Sequence, residues 1–326
     1  MGIKSDDERL EELFNMNEAP DFNRTIRKAK MFSIMRTIIV SFMIFIIISF
    51  GVLIFNTTTL NKMSIKEERR LNNSFRVSMP NAYLGGIQID DRIMVGEINY
   101  VRYRFLGNKP VTDGSYKEEY TYMPLINGIY GDMGNYLYTG SYNQSEEVSD
   151  YNKAGKKVMK FYHPSVEYSN YINDLGNLSE IEDNKLMEVS LSFNKAYSID
   201  EVKNMIPSDI TLNWYWVDTF TTNAKELSEK TSFNEYDVYG IKALDNRGNP
   251  IDRPEDDFIG VIQQSKIDNG QYAEIFNTLC NGKEEINKDD LKIIGVVVSG
   301  DSKSLKNLKN NEYIKGATIG AIVDKY

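Results

Sequence analysis

The longest apolar stretch of the chain is the 18-residue segment 38–55, which carries no charged side chain. As a helix rising 1.5 Å per residue, it spans about 27 Å, close to the thickness of the hydrocarbon core of a bilayer. Fourteen of its residues are Ile, Val, Leu or Phe, and each favours membrane insertion by about 0.3–0.6 kcal/mol. The pattern therefore predicts a single transmembrane helix at residues 37–56.

A cleaved signal peptide is the alternative interpretation of this segment. Such a peptide has an apolar run of about 7–15 residues near its start, followed by a small-residue cleavage site. Here the run begins after 37 residues, and residues 56–60 read NTTTL, which offers no such site. We therefore expect the helix to remain as a membrane anchor.

Basic residues on the two sides of the apolar run predict its orientation, because cytoplasmic flanks are enriched in Lys and Arg. Five precede the run and four follow it: Arg24, Arg27, Lys28, Lys30 and Arg36, against Lys62, Lys66, Arg69 and Arg70. This difference, together with the position of Arg36 beside the run, favours a single-pass cell-membrane protein with a cytoplasmic N-terminus. The part that follows the helix is then extracytoplasmic.

Apolar residues also recur at helical spacing within the cytoplasmic segment 1–36. Pro20 ends a first short helix, and a second is predicted to begin near Asp21 and to continue into the membrane. Together the two supply the predicted partner-binding residues Leu10, Leu13, Phe14, Phe22 and Ile26. Burying these five side chains would contribute about 8–15 kcal/mol before the costs of ordering and association. The segment is either a disordered tail held at anionic lipids or a docking peptide that folds in a partner's groove.

The remainder of the chain predicts an α+β region with a mixed sheet and short helices. Residues 57–71 are charged with a helical pattern and suggest a stalk, whereas residues 72–180 are rich in Gly and Tyr with short strand-like runs. We expect these tyrosines to reflect sheet propensity and core packing, and a surface that binds sugar or peptidoglycan is the alternative. Residues 181–326 alternate strand and helix patterns, as in an α+β domain.

Local signals place several elements in this last part. Ser198 and Glu201 form a capping box that opens a short helix, and Pro254 can start another. Trp214 and Trp216 fall on one face of a predicted strand, where we expect core packing rather than a ligand platform. The remaining strand predictions are 186–193, 210–220, 238–244, 292–299 and 313–323, in addition to 87–89, 98–105 and 136–138 upstream.

Composition excludes several classes of function. The net charge of −9, from 38 basic and 47 acidic residues, argues against direct binding of nucleic acid. The chain has a single His (His163) and a single Cys (Cys280), which are too few for a zinc site with the usual four Cys or His ligands. Any nucleophilic catalytic triad that uses a histidine would have to include His163. No nucleotide-binding glycine motif occurs. We expect no catalytic residues, no metal and no cofactor.

Three segments resemble the sigma factor regulators of low-GC Gram-positive bacteria. They are FNRTIRKAKMFSIMRT (22–37), FNKAYSIDEVKNMIPSDITLNWYWVDTF (193–220) and NEYIKGATIGAIVD (311–324). The resemblance implies a membrane-anchored anti-sigma factor that binds an extracytoplasmic-function sigma factor through its N-terminal segment and senses an envelope signal with its exported domain. It also implies contact with membrane lipid, and a second membrane protein is a further candidate partner.

Another class of anti-sigma factor carries a cytoplasmic zinc-binding domain, and this chain has no His or Cys before the apolar run. Sigma-factor binding would therefore rest on the short segment alone. The alternative function is an envelope receptor or adaptor that binds a cell-wall or membrane-protein partner and has an inert cytoplasmic tail.

Overall fold

The computed structural model describes residues 20–123, 136–138, 150–152, 154–220, 232–267 and 270–326, together with Asp7 and Glu11. The chain divides into two compact units, Met1–Asn61 and Lys62–Tyr326. Leu10, Leu13 and Phe14 lie outside the described residues.

The second unit contains both helices and strands, which confirms the α+β class. The helices are α1 (Pro20–Val77), α2 (Ile199–Met205), α3 (Pro254–Ser265), α4 (Gly270–Cys280) and α5 (Ser302–Lys306). The strands are β1 (Ala82–Asp91), β2 (Val95–Leu106), β3 (Lys109–Thr121), β4 (Tyr136–Tyr138), β5 (Asp150–Asn152), β6 (Lys160–Phe161), β7 (Lys185–Tyr197), β8 (Thr211–Val217), β9 (Phe233–Asn234), β10 (Gly240–Lys242), β11 (Ile293–Asp301) and β12 (Ile314–Asp324).

The helix predicted to begin near Asp21 is confirmed as α1. It begins at Pro20, whose fixed φ suits the first turn of a helix. It does not end with the apolar run, because the charged residues of the predicted stalk continue the same helix to Val77.

Strands β1, β2 and β3 form a small antiparallel sheet in that order. Leu106 pairs with Lys109 across the turn between β2 and β3. Gly107 adopts a φ of 57° at the first central position of this turn, a conformation that a two-residue hairpin of type II′ requires. The sheet brings residues of β2 and β3 side by side for the site described below.

The second sheet has the strand order β10-β8-β11-β7-β12, and every neighbouring pair is antiparallel. The prediction of a mixed sheet was therefore wrong. Helix α2 joins β7 to β8, which are parallel to each other, but β11 lies between them. Helix α5 joins β11 to β12 in the same way across β7. Each of these helices joins two parallel strands, but a strand that is distant in sequence lies between them and is antiparallel to both.

Both faces of the five-stranded sheet are covered. Tyr215 and Val217 face a large core that includes Phe258 of α3 and Ile275 of α4. Trp214 and Trp216 point to the opposite face, where both are 0% exposed and pack with residues such as Phe161 and Val297. The prediction that the two tryptophans belong to the core is confirmed.

The predicted helix starts are confirmed at atomic detail. Ser198 and Glu201 exchange both hydrogen bonds of a capping box at the start of α2. Helix α5 also has a side-chain cap, because Asp301 accepts a hydrogen bond from the backbone N–H of Ser304. Pro254 occupies the first turn of α3.

Candidate functional site

Two of the five predicted partner-binding residues lie within the described part of the chain. Phe22 and Ile26 are four positions apart on α1, so they share one face of the helix. Their exposed fractions are 49% and 47%. Both apolar side chains are thus available to a partner.

Within the described ranges, one helix is long and apolar enough to cross a membrane. It is the part of α1 at Phe22–Val77, and its most apolar 18-residue window has a mean hydropathy of 3.0. None of that window is buried inside the protein. A fully exposed apolar surface of this length matches a lipid environment rather than the core of a soluble domain.

The C-terminal end of α1 is held in the second unit by contacts on two sides. Arg70 forms an ion pair with Glu118 of β3, and the Phe75 ring meets the Tyr100 ring of β2 edge to face at 5.8 Å. On the other side, Asn73 donates a hydrogen bond to Ser265 of α3 over 2.8 Å. This part of α1 is therefore packed between the small sheet and helix α3.

A buried cluster of five charged side chains joins the two sheets. Arg104 of β2 donates from Nε to Asp113 Oδ2 of β3 over 2.7 Å and from Nη1 to Glu188 Oε1 of β7 over 2.9 Å. Its Nη2 donates to Glu235 Oε1, directly after β9, over 2.5 Å. Arg102 lies on the same face of β2 and places its Nε 2.6 Å from Asp113 Oδ2. All five side chains are at most 3% exposed.

Neutral polar groups add further hydrogen bonds to this cluster. Asn81 donates from Nδ2 to Glu188 Oε2 over 2.7 Å, and the backbone N–H of Ala321 donates to Glu188 Oε1 over 3.1 Å. Asn213 of β8 donates to the side-chain oxygen of Asn81 and to the carbonyl of Phe105. The bonds made by Asn81 and Asn213 connect the small sheet or its entry turn with the larger sheet, so they help to fix the relative position of the two sheets.

The buried cluster shifts the pKa values of two of its carboxyl groups, Glu188 and Asp113, in opposite directions. Burial raises the pKa of Glu188, and the attraction of Arg104 offsets only part of this effect. Burial also acts to raise the pKa of Asp113, but Arg104 and Arg102 outweigh it and hold that pKa below its usual range. On acidification, Glu188 therefore takes up a proton before Asp113.

His163, the single histidine of the chain, is held in place by hydrogen bonds and ring contacts within the fold. Its Nδ1 accepts a hydrogen bond from the backbone N–H of Ser165 over 3.1 Å, so its Nε2 carries the proton and faces Asp218 Oδ1 at 3.2 Å. The ring is buried and meets the edges or faces of Trp216 and Phe220. Both ring nitrogens are thus engaged within the fold. In the described part of the chain, no group of three His, Cys, Asp or Glu side chains is arranged to hold a metal ion.

Two regions of the chain match models of known protein families. Residues 23–111 match the sigma factor regulator N-terminal family, and residues 178–321 match the sigma factor regulator C-terminal family. The chain belongs to the sigma factor regulators. The resemblance noted in the sequence is thereby confirmed, and together with the exposed apolar helix it indicates a membrane-anchored regulator.

A curated relative of this regulator is the Bacillus subtilis (strain 168) protein named "Probable anti-sigma-M factor YhdL". The two are 24% identical over 153 residues, which cover 44% of this chain and 41% of the relative. This regulator therefore spans about two fifths of the length of that protein. No solved structure matches the chain.

The two regulator segments meet at the ion cluster. Arg102 and Arg104 belong to the N-terminal segment, Glu188 and Glu235 belong to the C-terminal segment, and Asp113 follows the end of the N-terminal match. None of these five residues belongs to a motif that marks it in the sequence. The available signal was the spacing of Arg102 and Arg104, two positions apart in a strand, which places both on one face.

Proposed function

We propose that the chain is a membrane-anchored anti-sigma factor. In this proposal, the cytoplasmic segment 1–36 binds an extracytoplasmic-function sigma factor, and the second unit senses an envelope condition from the other side of the membrane. The observation that carries the proposal is the match of both regulator families to one chain, with the apolar helix inside the N-terminal match. The printed name of the Bacillus subtilis relative supports it.

The position of the docking residues on α1 supports sequestration at the membrane. Phe22 is 16 positions before Ile38, where the apolar run starts, and the helix is continuous between them. At 1.5 Å per residue, the two are about 24 Å apart along the axis. A sigma factor bound there stays next to the membrane, and confinement raises the effective concentration of the two partners.

Charge supports a cytoplasmic N-terminus. Residues 22–36 of α1 carry five basic and no acidic side chains, so they can interact with anionic headgroups of the inner leaflet. Beyond the apolar run, residues 62–70 carry four basic side chains but also Glu67 and Glu68. Arg70 is engaged there by Glu67 and Glu118 and contributes less free positive charge.

The test is a membrane recruitment assay with the double variant Leu13→Asp and Phe14→Asp in the full chain. Two carboxylates on the apolar face cannot enter a groove without a large desolvation cost. We expect the sigma factor to leave the membrane fraction and its target genes to be transcribed. The measurement is the membrane-bound share of the sigma factor together with reporter transcription.

The matched control is Asn15→Asp with Asn17→Asp, which adds the same charge at polar positions of the same segment. We expect this control to retain the sigma factor. Unchanged retention and repression in the Leu13/Phe14 variant would contradict docking through this face. Deletion of residues 1–30 without any change in transcription would instead favour an envelope receptor with an inert tail.

A further inference from the structure

A cavity of about 300 Å³ lies in the second unit where the end of α1, strand β1, strand β10 and the start of α3 meet. Its volume is in the range of small-molecule pockets. Apolar side chains form most of its wall: Phe75, Leu84, Leu244, Ile251 and Phe258. Arg76 and Asp257 stand at its rim, and their side chains are 45% and 49% exposed, so the cavity is open to solvent on that side.

Lys242 of β10 supplies a cation to this largely apolar cavity. Its ammonium lies 4.0 Å from the centre of the Tyr83 ring and donates to the carbonyl of Ala82. Among the described residues, no carboxylate forms an ion pair with it. The ammonium therefore lacks the anionic partner that a buried charge requires.

The two carboxylates that line the cavity are already engaged. The N–H at Arg76 Nε is shared between the two carboxylate oxygens of Asp257, each 3.1 Å from the nitrogen, as part of an ion pair. Asp245 accepts from the backbone N–H groups of Arg247 and Asn249, each over 2.8 Å. Neither turns to Lys242, so the arrangement is complementary to an anion that comes from outside the chain.

We propose that this cavity binds a small monocarboxylic acid with a compact apolar body, whose carboxylate pairs with Lys242 and whose body packs against Phe75, Leu84 and Phe258. A carboxylate is the group that both satisfies the ammonium and leaves the rest of the ligand free to occupy apolar space. The walls come from both regulator segments, since Phe75 and Leu84 lie in the N-terminal match and Lys242 and Phe258 in the C-terminal match. The ligand would thus bridge the two. The inference rests on the proposed function in that such a ligand is a candidate for the sensed signal.

The site gives binding a characteristic pH dependence. Burial lowers the pKa of Lys242 to about 7, with Asp257 acting to raise it and Arg104 to lower it further. The other charged or titratable groups that face the cavity are Arg76, Tyr83 and Asp245. A carboxylate binds the protonated form, so the apparent affinity follows the protonated fraction of Lys242. Between pH 6.0 and pH 8.5 that fraction falls roughly 30-fold.

The experiment is isothermal titration calorimetry of the full chain in lipid nanodiscs, with empty nanodiscs as reference. The probe is 3-phenylpropionate, which is ionised at both pH values. We expect binding at pH 6.0 that weakens roughly 30-fold at pH 8.5. The matching amide, 3-phenylpropionamide, should bind at least about tenfold more weakly at pH 6.0, because it offers no charge to the ammonium.

Variants identify the site. Lys242→Met should weaken binding of the acid at least about tenfold at pH 6.0 and remove the pH dependence. Leu84→Trp, which fills the cavity without touching the cation, should also abolish binding and covers the case in which Lys242→Met fails to fold. The control is Lys195→Met, since Lys195 is an exposed lysine that lies over the ring of Tyr197 at 5.1 Å, outside the cavity. It should bind as the natural chain does.

Three results would overturn the inference. They are equal binding of acid and amide by the natural chain at pH 6.0, no binding of either, and binding that survives both Lys242→Met and Leu84→Trp. These results are independent of sigma-factor retention, because no sigma factor is present in the titration. A failed titration with intact retention removes the ligand site alone, and the reverse removes the proposed anti-sigma activity alone.

Discussion

Arg104 is the side chain on which the buried cluster depends. Its guanidinium contacts Asp113, Glu188 and Glu235, which come from three different parts of the chain. The planar fork of an arginine can serve several carboxylates at once, whereas a lysine offers a single point charge. The three carboxylates can be buried together because this cation lies among them, assisted at Asp113 by Arg102.

Replacing Arg104 by Met should therefore strongly destabilise the second unit. The substitution leaves Glu188 and Glu235 as buried carboxylates without a cation, and breaking such an ion pair costs about 3–5 kcal/mol in the free energy of unfolding. Urea denaturation of the detergent-solubilised full chain measures the loss. The control is Arg70→Met, which removes an ion pair whose arginine is 53% exposed and should cost at most about 1 kcal/mol. A similar loss in the free energy of unfolding in both variants would show that the buried cluster stabilises the fold no more than an exposed ion pair does.

At the scale of single elements, β10 depends on the absence of a side chain at Gly240. A Cβ placed there would lie 1.9 Å from the carbonyl oxygen of Tyr215 and 2.5 Å from Cζ2 of Trp214, both on the neighbouring strand β8. Such close approach is available to glycine alone. The strand that carries Lys242 is held at the sheet edge through this contact.

Gly240→Ala should lower the free energy of unfolding by about 1–3 kcal/mol, since the added methyl group overlaps the backbone of β8. Gly260→Ala is the matched control, because a Cβ at this position in α3 meets no atom within 4 Å. Alanine also favours a helix over glycine by about 0.5–1 kcal/mol, so the control should be slightly more stable than the natural chain. Thermal melts of both variants measure the difference. Equal effects would refute the close contact between β10 and β8.

Elements with local signals were predictable from the sequence. The capping box at Ser198 and the proline at position 254 depend only on residues within one helical turn, and the structure has a helix at both positions. The ion cluster was not predictable in the same way. Alternation along β2 puts Arg102 and Arg104 on one face and Val101 on the other, but it does not say which face is buried. The arginines are buried and Val101 is 38% exposed. Two of the carboxylates that pair with Arg104, Glu188 and Glu235, lie 84 and 131 positions further along the chain, beyond the reach of a local pattern.

At the scale of the whole molecule, charge divides along the chain. Residues 1–36 carry seven basic and seven acidic side chains, so the net charge of −9 belongs to the remainder. In the proposed orientation, a neutral segment lies in the cytoplasm and an acidic unit lies outside. Positive charge close to the helix, rather than the charge of the large unit, governs the orientation of a single span.

Cysteine labelling in intact cells tests this orientation. Cys280 is the single cysteine and is buried, so Cys280→Ser gives a background without thiols. Into it we would introduce Ser5→Cys or Ile267→Cys; Ile267 is 87% exposed. A membrane-impermeant maleimide should label position 267 and not position 5, and permeabilised cells should label both. Labelling of position 5 alone in intact cells would reverse the proposed orientation.

The strand order of the larger sheet also governs when that sheet can form during synthesis. Both neighbours of β7 in this sheet lie far along the chain, because β11 begins at Ile293 and β12 at Ile314. Strand β7 ends at Tyr197, 96 positions before β11 begins at Ile293, a delay on the order of 5–20 s at ordinary rates of translation. For that time its apolar residues have no strand beside them. The sheet therefore closes only after β11 and β12 have been synthesised, and a product truncated before residue 293 presents β7 as an unpaired, aggregation-prone strand instead of a partial sheet.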